Sequence, residues 1–224
     1  MKESERGDEE MRVLIACEES QVVCNAFRAK GHDAFSCDIL PTRGEHPEWH
    51  IKDNILNVFW NNHFVTQTKD LWYVPNWDIM IGHPECKYLT NSGVCWLYNK
   101  DGSKNIERWN KLELAREFFL KLWNADTQKI CLENPIPHKY ARLPKYTQII
   151  QPWMFGYMEQ KATCLWLKGL PKLEETNNVY DEMMKLPDNK RQRIHYLPPS
   201  PTRQRDRSVT YAGIGKAMAE QWNF

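Results

Sequence analysis

The chain has 224 residues, 42% of them hydrophobic, which suits one α/β domain with a sizeable core and leaves little room for a second. Lys plus Arg (30) nearly balance Asp plus Glu (29), so global charge neither demands nor excludes a nucleic-acid partner, and any basic surface must be local. Seven cysteines without a CxxC pair argue against a zinc site and, in a chain this long, against a disulfide scaffold. The thiols therefore read as reduced, and no metal is expected. Neither a membrane-length apolar run nor a signal-peptide pattern is present, so a cytoplasmic protein without a membrane partner is expected. Ten tryptophans are many for this length, and packing explains them more readily than base stacking does.

Met1–Met11 carries seven charged residues and little else, and is expected to be a disordered lead-in to a single domain over residues 12–224. Arg12–Cys17 reads as a buried strand. Gln21–Lys30 reads as a helix with Val22, Val23, Ala26 and Phe27 on one face, stopped by Gly31. Ala34–Ile39 and Asp78–Gly82 are further strands, the latter leading into a loop at His83–Cys86. Ile106–Trp123 is the longest predicted helix, burying a stripe through Leu112, Ala115, Phe119 and Leu122. Lys129–Leu132 is a short strand ending at Glu133-Asn134-Pro135, Ala162–Leu167 is another strand, and Tyr211–Trp222 is helical. This β-α alternation predicts a Rossmann-like α/β fold, a mostly parallel sheet with helices on both faces. In such sheets ligands bind beyond the carboxyl ends of the strands. Glu18-Glu19, Asp38, Pro84–Cys86 and Glu133-Asn134-Pro135 all fall there.

Cys86 follows a strand directly and has Lys87 beside it. Nearby positive charge makes a loop cysteine a nucleophile, and without it the residue is an inert thiol. Glu133, fixed before Asn-Pro, can donate to or accept from a ring nitrogen, or simply solvate a turn. Asp38 ends its strand where an acid commonly binds a ribose hydroxyl pair, though strands often end in Asp. Asp53-Asn54 carries a weaker signal of the same kind.

Taken in order, strand-then-acid, strand-then-Pro-x-Cys and strand-then-Glu-Asn-Pro resemble the cytosine-C5 DNA methyltransferase family, and most closely its compact phage and prophage members. The stretches that carry the likeness are IGHPECKYLTNSG, LENPIPH, QPWMFGYMEQKATCLWLKGLP and RSVTYAGIGKAMAEQW, which lie between Ile81 and Trp222, and with the first strands the resemblance covers Arg12 to Trp222. The resemblance implies methyl transfer from S-adenosylmethionine to C5 of cytosine in DNA, either duplex with the base flipped out or single-stranded. Cys86 matches the nucleophile that adds to C6, and Glu133 the acid that steadies the ring. Lys161 and Thr163 fall where the family has an arginine pair, and Lys does not reproduce the guanidinium fork. Cofactor contacts are implied for Ala16, Cys17, Glu18, Glu19, Ser20, Asp38, Ile39, Asp53, Asn54, Pro84 and Gly213, with Gly215 in the same closing motif. The first loop lacks the family's glycines, and Glu85 stands where the family has a second proline. In place of a large target-recognition region there is only Gly169–Ser208. Its stretch Leu186–Arg207 has a surplus of four positive charges, and Pro198, Pro199 and Pro201 predict an extended, stiff loop. Arg191, Arg193, Arg203, Arg205 and Arg207 are the expected backbone contacts, and Pro84, Asn134 and Pro135 the expected base contacts. Two alternatives remain open on the sequence: an enzyme acting on a free pyrimidine nucleotide or another nucleic acid, and a non-catalytic binding protein that keeps the fold.

Overall fold

The computed structural model describes residues 2–3 and 10–224. In chain order the elements are β1 (Lys2–Glu3), β2 (Arg12–Ala16), α1 (Val22–Arg28), β3 (Asp33–Asp38), β4 (His50–Lys52), α2 (Ile55–Trp60), β5 (His63–Val65), β6 (Leu71–Tyr73), β7 (Ile79–Gly82), α3 (Ile106–Trp123), β8 (Lys129–Pro135), β9 (Gln148–Ile150), β10 (Thr163–Lys168), α4 (Tyr180–Met184), α5 (Asp188–Arg191), α6 (Arg193–Tyr196), α7 (Arg203–Ser208) and α8 (Ala212–Gln221). Of the expected lead-in, residues 1 and 4–9 lie outside the described residues. Lys2–Glu3 pairs with Trp72-Tyr73, and Met11 is 4% exposed in the core.

Seven strands form one sheet in the order β4-β3-β2-β7-β8-β10-β9, parallel throughout except that β10 runs antiparallel to both its neighbours. The expected mostly parallel sheet with helices on both faces is thus what the chain forms. Every side chain of β2 is buried, as a strand covered on both faces requires. The period-2 alternation sends Val13 and Ile15 to one core, with Val23, Phe27, Ile214, Met218 and Trp222 of α1 and α8. Leu14 and Ala16 enter the other, with Phe119, Leu122 and Trp166. The chain winds outward from β2 through β3 to β4, then returns to β7 on the other side of β2. That reversal is the topological switch point, and it places the loop after β2 beside the loop after β7.

Two elements differ from expectation. Glu133-Asn134-Pro135 is not a turn after β8 but its last three residues, because β10 carries the ladder on to Pro135↔Thr163. On the other side β7 stops at Gly82↔Leu132, so Glu133 and Asn134 overhang the loop His83–Cys86. The segment Gly169–Ser208 is not an extended loop: its last 29 residues carry four short helices, α4 to α7.

Candidate active site

The loop after β2 turns without glycine. Cys17 and Gln21 take the left-handed conformation (φ 59° and 60°), which costs an L residue energy and persists only where surroundings enforce it. Gln21 is fully buried, and its amide donates to the His46 carbonyl (2.7 Å) and accepts from the His46 amide (3.2 Å). A Cβ at Gly44 would lie 2.1 Å from the Gln21 Oε1, so only glycine admits this stitch. Glu18 accepts the amides of Val23 (2.7 Å) and Cys24 (3.2 Å), satisfying the first turn of α1. Burial raises its pKa, while His83 and those amides pull it down.

Glu19 is held by two arginines. Arg205 binds it in bidentate fashion, with Nε and Nη2 each 2.9 Å from a different oxygen, and Arg43 Nε reaches Oε2 at 2.7 Å. The two guanidinium groups outweigh burial and lower its pKa. Glu19 is therefore a clamp joining the first loop to α7. Arg43 also reaches Asp206 at 3.1 Å.

Along the same sheet edge, Asp38 accepts the Leu40 amide at 2.9 Å, and burial raises its pKa. Ile39 beside it is 70% exposed. Asp53 accepts from the Asn54 amide and the Asn57 side chain, and Asn54 caps α2 through the Leu56 amide. Cys17 is pushed up to about 12 by burial and by Asp38, so its thiol stays protonated. Packing accounts for the tail glycines. A Cβ at Gly213 would sit 2.4 Å from the Phe155 carbonyl oxygen, and Gly215 lies close against Val22 and Val23 of α1.

The loop after β7 brings the chemistry together. The His83 amide donates to the Ala16 carbonyl (2.9 Å), and the Cys86 carbonyl accepts from Leu89 and Thr90, so Cys86 heads a hydrogen-bonded turn. Asn134 donates to the Pro84 carbonyl at 3.3 Å, tying the overhang of β8 to this loop. Its Oδ1 is buried without a partner among the described residues. His83 Nδ1 lies 2.7 Å from Glu133 Oε2, with both side chains largely buried (13% and 9% exposed). Thr210 donates to the same oxygen at 3.4 Å, which leaves Oε1 to face other groups. Burial alone would raise Glu133 and lower His83, but each holds the other charged: Glu133 sits below its ordinary value and His83 above.

Lys161 arrives from the opposite direction. Because β10 is antiparallel to β8, the start of β10 meets the end of β8 at one edge. Lys161, two residues before β10, is thereby brought into the field of Glu133 and Cys86, its Nζ donating to the Val209 carbonyl at 3.4 Å. Burial lowers its pKa, opposed by Glu133 and Cys86. Thr163 turns its hydroxyl to the Lys161 carbonyl (3.2 Å), holding the residue before β10. Burial also raises the Cys86 thiol; Lys161 and Arg207 favour the thiolate, and Glu85 opposes it. The Cys86 thiol thus rests protonated, with a cation placed to favour its ionisation.

Four of the five expected phosphate-binding arginines have partners within the chain. Arg191 pairs with Asp188, Arg193 with Glu159 (2.8 Å) and Arg205 with Glu19, while Arg203 donates to the Leu197 and His195 carbonyls. Arg207 instead lies near Cys86 and Lys161. Through Gln204, α7 also reaches Glu85 (3.2 Å), so one short helix bridges the loop after β2 and the loop after β7. The sequence does not single out His83, although it lies in the same four-residue loop, His83–Cys86, as the thiol. Among the described residues no group of three or more His, Cys, Asp or Glu could hold a metal ion, and no helix is long and apolar enough to cross a membrane.

No protein-family model matches the sequence, and no curated protein does. Among solved structures, similarity is found to one described as a DNA modification methyltransferase encoded within an E. coli prophage (14% identity, 80% of this chain and 56% of that one, TM-score 0.41). It is also found to the Entamoeba histolytica methyltransferase EhMeth (11%, 75% and 57%, TM-score 0.39) and to the S. pombe Dnmt2 methyltransferase (16%, 85% and 60%, TM-score 0.34). The chain thus spans less than two thirds of the length of each of these neighbours.

Proposed function

We propose that this protein is an S-adenosylmethionine-dependent methyltransferase that acts on C5 of cytosine in DNA through a covalent adduct at Cys86. The observation that carries this is the convergence, from the ends of β7 and β8 and the start of β10, of one thiol, one carboxylate bound to an imidazole, and one half-buried ammonium. The motif resemblance points to the same three positions.

The cofactor side fits an adenosyl ligand. Ile39 offers an exposed apolar side chain beside a half-buried carboxylate, Asp38, at the carboxyl edge of the sheet. Ala16, Ser20, Asp53, Asn54 and Pro84 line that edge. Glu19 serves by holding the loop in place, since its carboxylate already carries two arginines. When bound, S-adenosylmethionine supplies an electrophilic methyl group. The remaining steps belong to the chain. Sγ of Cys86 adds to C6 of the cytosine, its thiolate favoured by Lys161. Electron density moves toward N3 and C5. Glu133 Oε1 meets the ring's N3 and N4 edge, while His83 holds Oε2 and can pass a proton through the carboxyl to N3. Once C5 carries the methyl group, water takes up the C5 proton, the C5–H electron pair re-forms the C5–C6 double bond and expels the Cys86 thiolate, and N3 returns its proton to Glu133. Asn134 and Pro135 border the ring.

The internal pairing of the insertion arginines favours a short strand or a nucleotide over a long duplex footprint. Transfer of labelled methyl groups to single-stranded DNA, duplex DNA and free cytidine nucleotides tests the proposal. Label in DNA supports it. Label only in the nucleotide moves the acceptor, and none in any acceptor rejects the enzyme.

A further inference from the structure

Four of the five arginines expected to bind phosphates have partners within the chain, and a second set of cations packs on aromatic rings instead of carboxylates. It begins in the nucleophile loop itself. Lys87 stacks over the Tyr88 ring (5.4 Å to the centroid), and Arg108 of α3 covers the same ring at 4.5 Å. Arg108 also donates to the Lys87 carbonyl at 2.9 Å. A Cβ at Gly93 would lie 2.7 Å from both Arg108 Nη2 and the Lys87 carbonyl oxygen, so glycine there is what lets the bridge form. Farther out, Lys104 lies over Trp109 (5.2 Å) and Lys139 over Tyr140 (5.1 Å). Tyr98, Trp109 and Tyr140 meet edge to face at 5.4–6.4 Å. On the 3₁₀ turn Asn91–Leu97 the Trp96 side chain is 64% exposed.

These groups form one surface, because the nucleophile loop and the segment after β8 are laced together. His138 contacts the Tyr88 carbonyl (3.0 Å) through Nε2, its amide donates to Leu89, and Thr90 bridges to Pro137. The surface therefore runs outward from Cys86 and Glu133. Nearby carboxylates are largely matched: Glu107 by Lys111, Glu113 by Arg116 and Arg142, and Asp101 by Ser103. Lys87, Lys104, Arg108 and Lys139 have no carboxylate partner among the described residues. Unmatched cations interleaved with partly exposed rings suit a strand whose phosphates and unstacked bases are both available. A duplex would offer only its phosphates.

We propose that this face binds single-stranded nucleic acid and leads it to Cys86. The inference rests on the nucleic-acid part of the function proposed above, and it is testable without turnover. Fluorescence anisotropy of the full chain with a labelled mixed-sequence single strand, against the same sequence as duplex and as RNA, reads it directly. With four cations engaged, log Kd against log salt should have a slope of about 3 in magnitude, at roughly 0.7 per phosphate contact. Trp96→Ala should weaken single-strand binding by roughly tenfold and leave the salt slope unchanged, since one stacked base is lost. Lys104→Ala with Lys139→Ala should lower the slope by about 1.4. The RNA arm tells which sugar is accepted. Duplex bound as tightly as single strand, or unchanged binding in all these variants, overturns the proposal. Methyl transfer, measured separately, keeps the two proposals apart. Strand binding through this face with no transfer to any acceptor rejects the enzyme and retains the face. Transfer to a nucleotide without strand binding rejects the face alone.

Discussion

His83→Ala removes one partner of the buried pair at the centre of the site. Loss of a single partner costs about 3–5 kcal/mol, because the other charge stays buried without its counter-charge. Glu133 keeps Thr210 and the field of Lys161, and it can take up a proton, so the lower end of about 3 kcal/mol is expected. At a urea m-value of about 3 kcal/mol/M, the unfolding midpoint falls by about 1 M. The pH dependence has a definite sign. Glu133 is held below 4.5 in the fold, so its contribution is present above that value and lost as pH falls through the folded pKa. His83 is held above 6.5, so its contribution is complete below that value and lost as pH rises through the folded pKa. The pair therefore contributes fully between 4.5 and 6.5. In His83→Ala the decline on the alkaline side disappears. His83→Asn, which restores a donor without a charge, should recover part of the midpoint and none of that decline. Urea melts across this range decide it. A midpoint within about 0.3 M of the parent and an unchanged alkaline decline would refute the pairing.

Cys86 should respond to its charged neighbours in opposite directions. Iodoacetamide alkylation should slow about two- to tenfold in Lys161→Met and quicken in Glu85→Gln, and equal rates in all three proteins would remove both residues from the thiol's field. Glu133→Gln should lower methyl transfer by about 10²–10⁴-fold, and a loss under about threefold would make Glu133 a structural residue only. Arg205→Ala should release α7 from Glu19, raising hydrogen exchange over Arg203–Ser208 by about tenfold or more, the scale of a charge-assisted bond. Arg205→Lys should recover little of it, because the bidentate fork is lost. Unchanged exchange in both would show that α7 is held elsewhere.

Much of the scaffold was legible in the sequence because its signals are local. The uninterrupted apolar run Val13–Ala16 within β2 and the span of α3, Ile106–Trp123, follow from residue type and helical spacing. The clustering of Cys86 and Glu133 was legible too, since one follows β7 and the other lies near the end of β8, its parallel neighbour. Pairing was not. Nothing near Glu133 announces that β10 continues the ladder to Pro135. Arginine content alone does not reveal that Arg205 turns inward to a glutamate 186 residues away. The first loop lacks the glycines of the family it resembles, and Cys17 and Gln21 adopt the left-handed backbone themselves, held by contacts distant in sequence that the local sequence does not announce. His83 was hidden because its value lies in one 2.7 Å contact across two strands.

Attack by Cys86 on C6 of cytosine is the step on which the proposed function rests. DNA containing 5-fluorocytosine, incubated with the protein and labelled S-adenosylmethionine, tests it most directly, because fluorine at C5 prevents release of the adduct. The expected product is a labelled protein–DNA species that survives denaturation and is lost in a folded Cys86→Ala protein. A labelled adduct that persists in Cys86→Ala, or methylated DNA with no adduct, would contradict it.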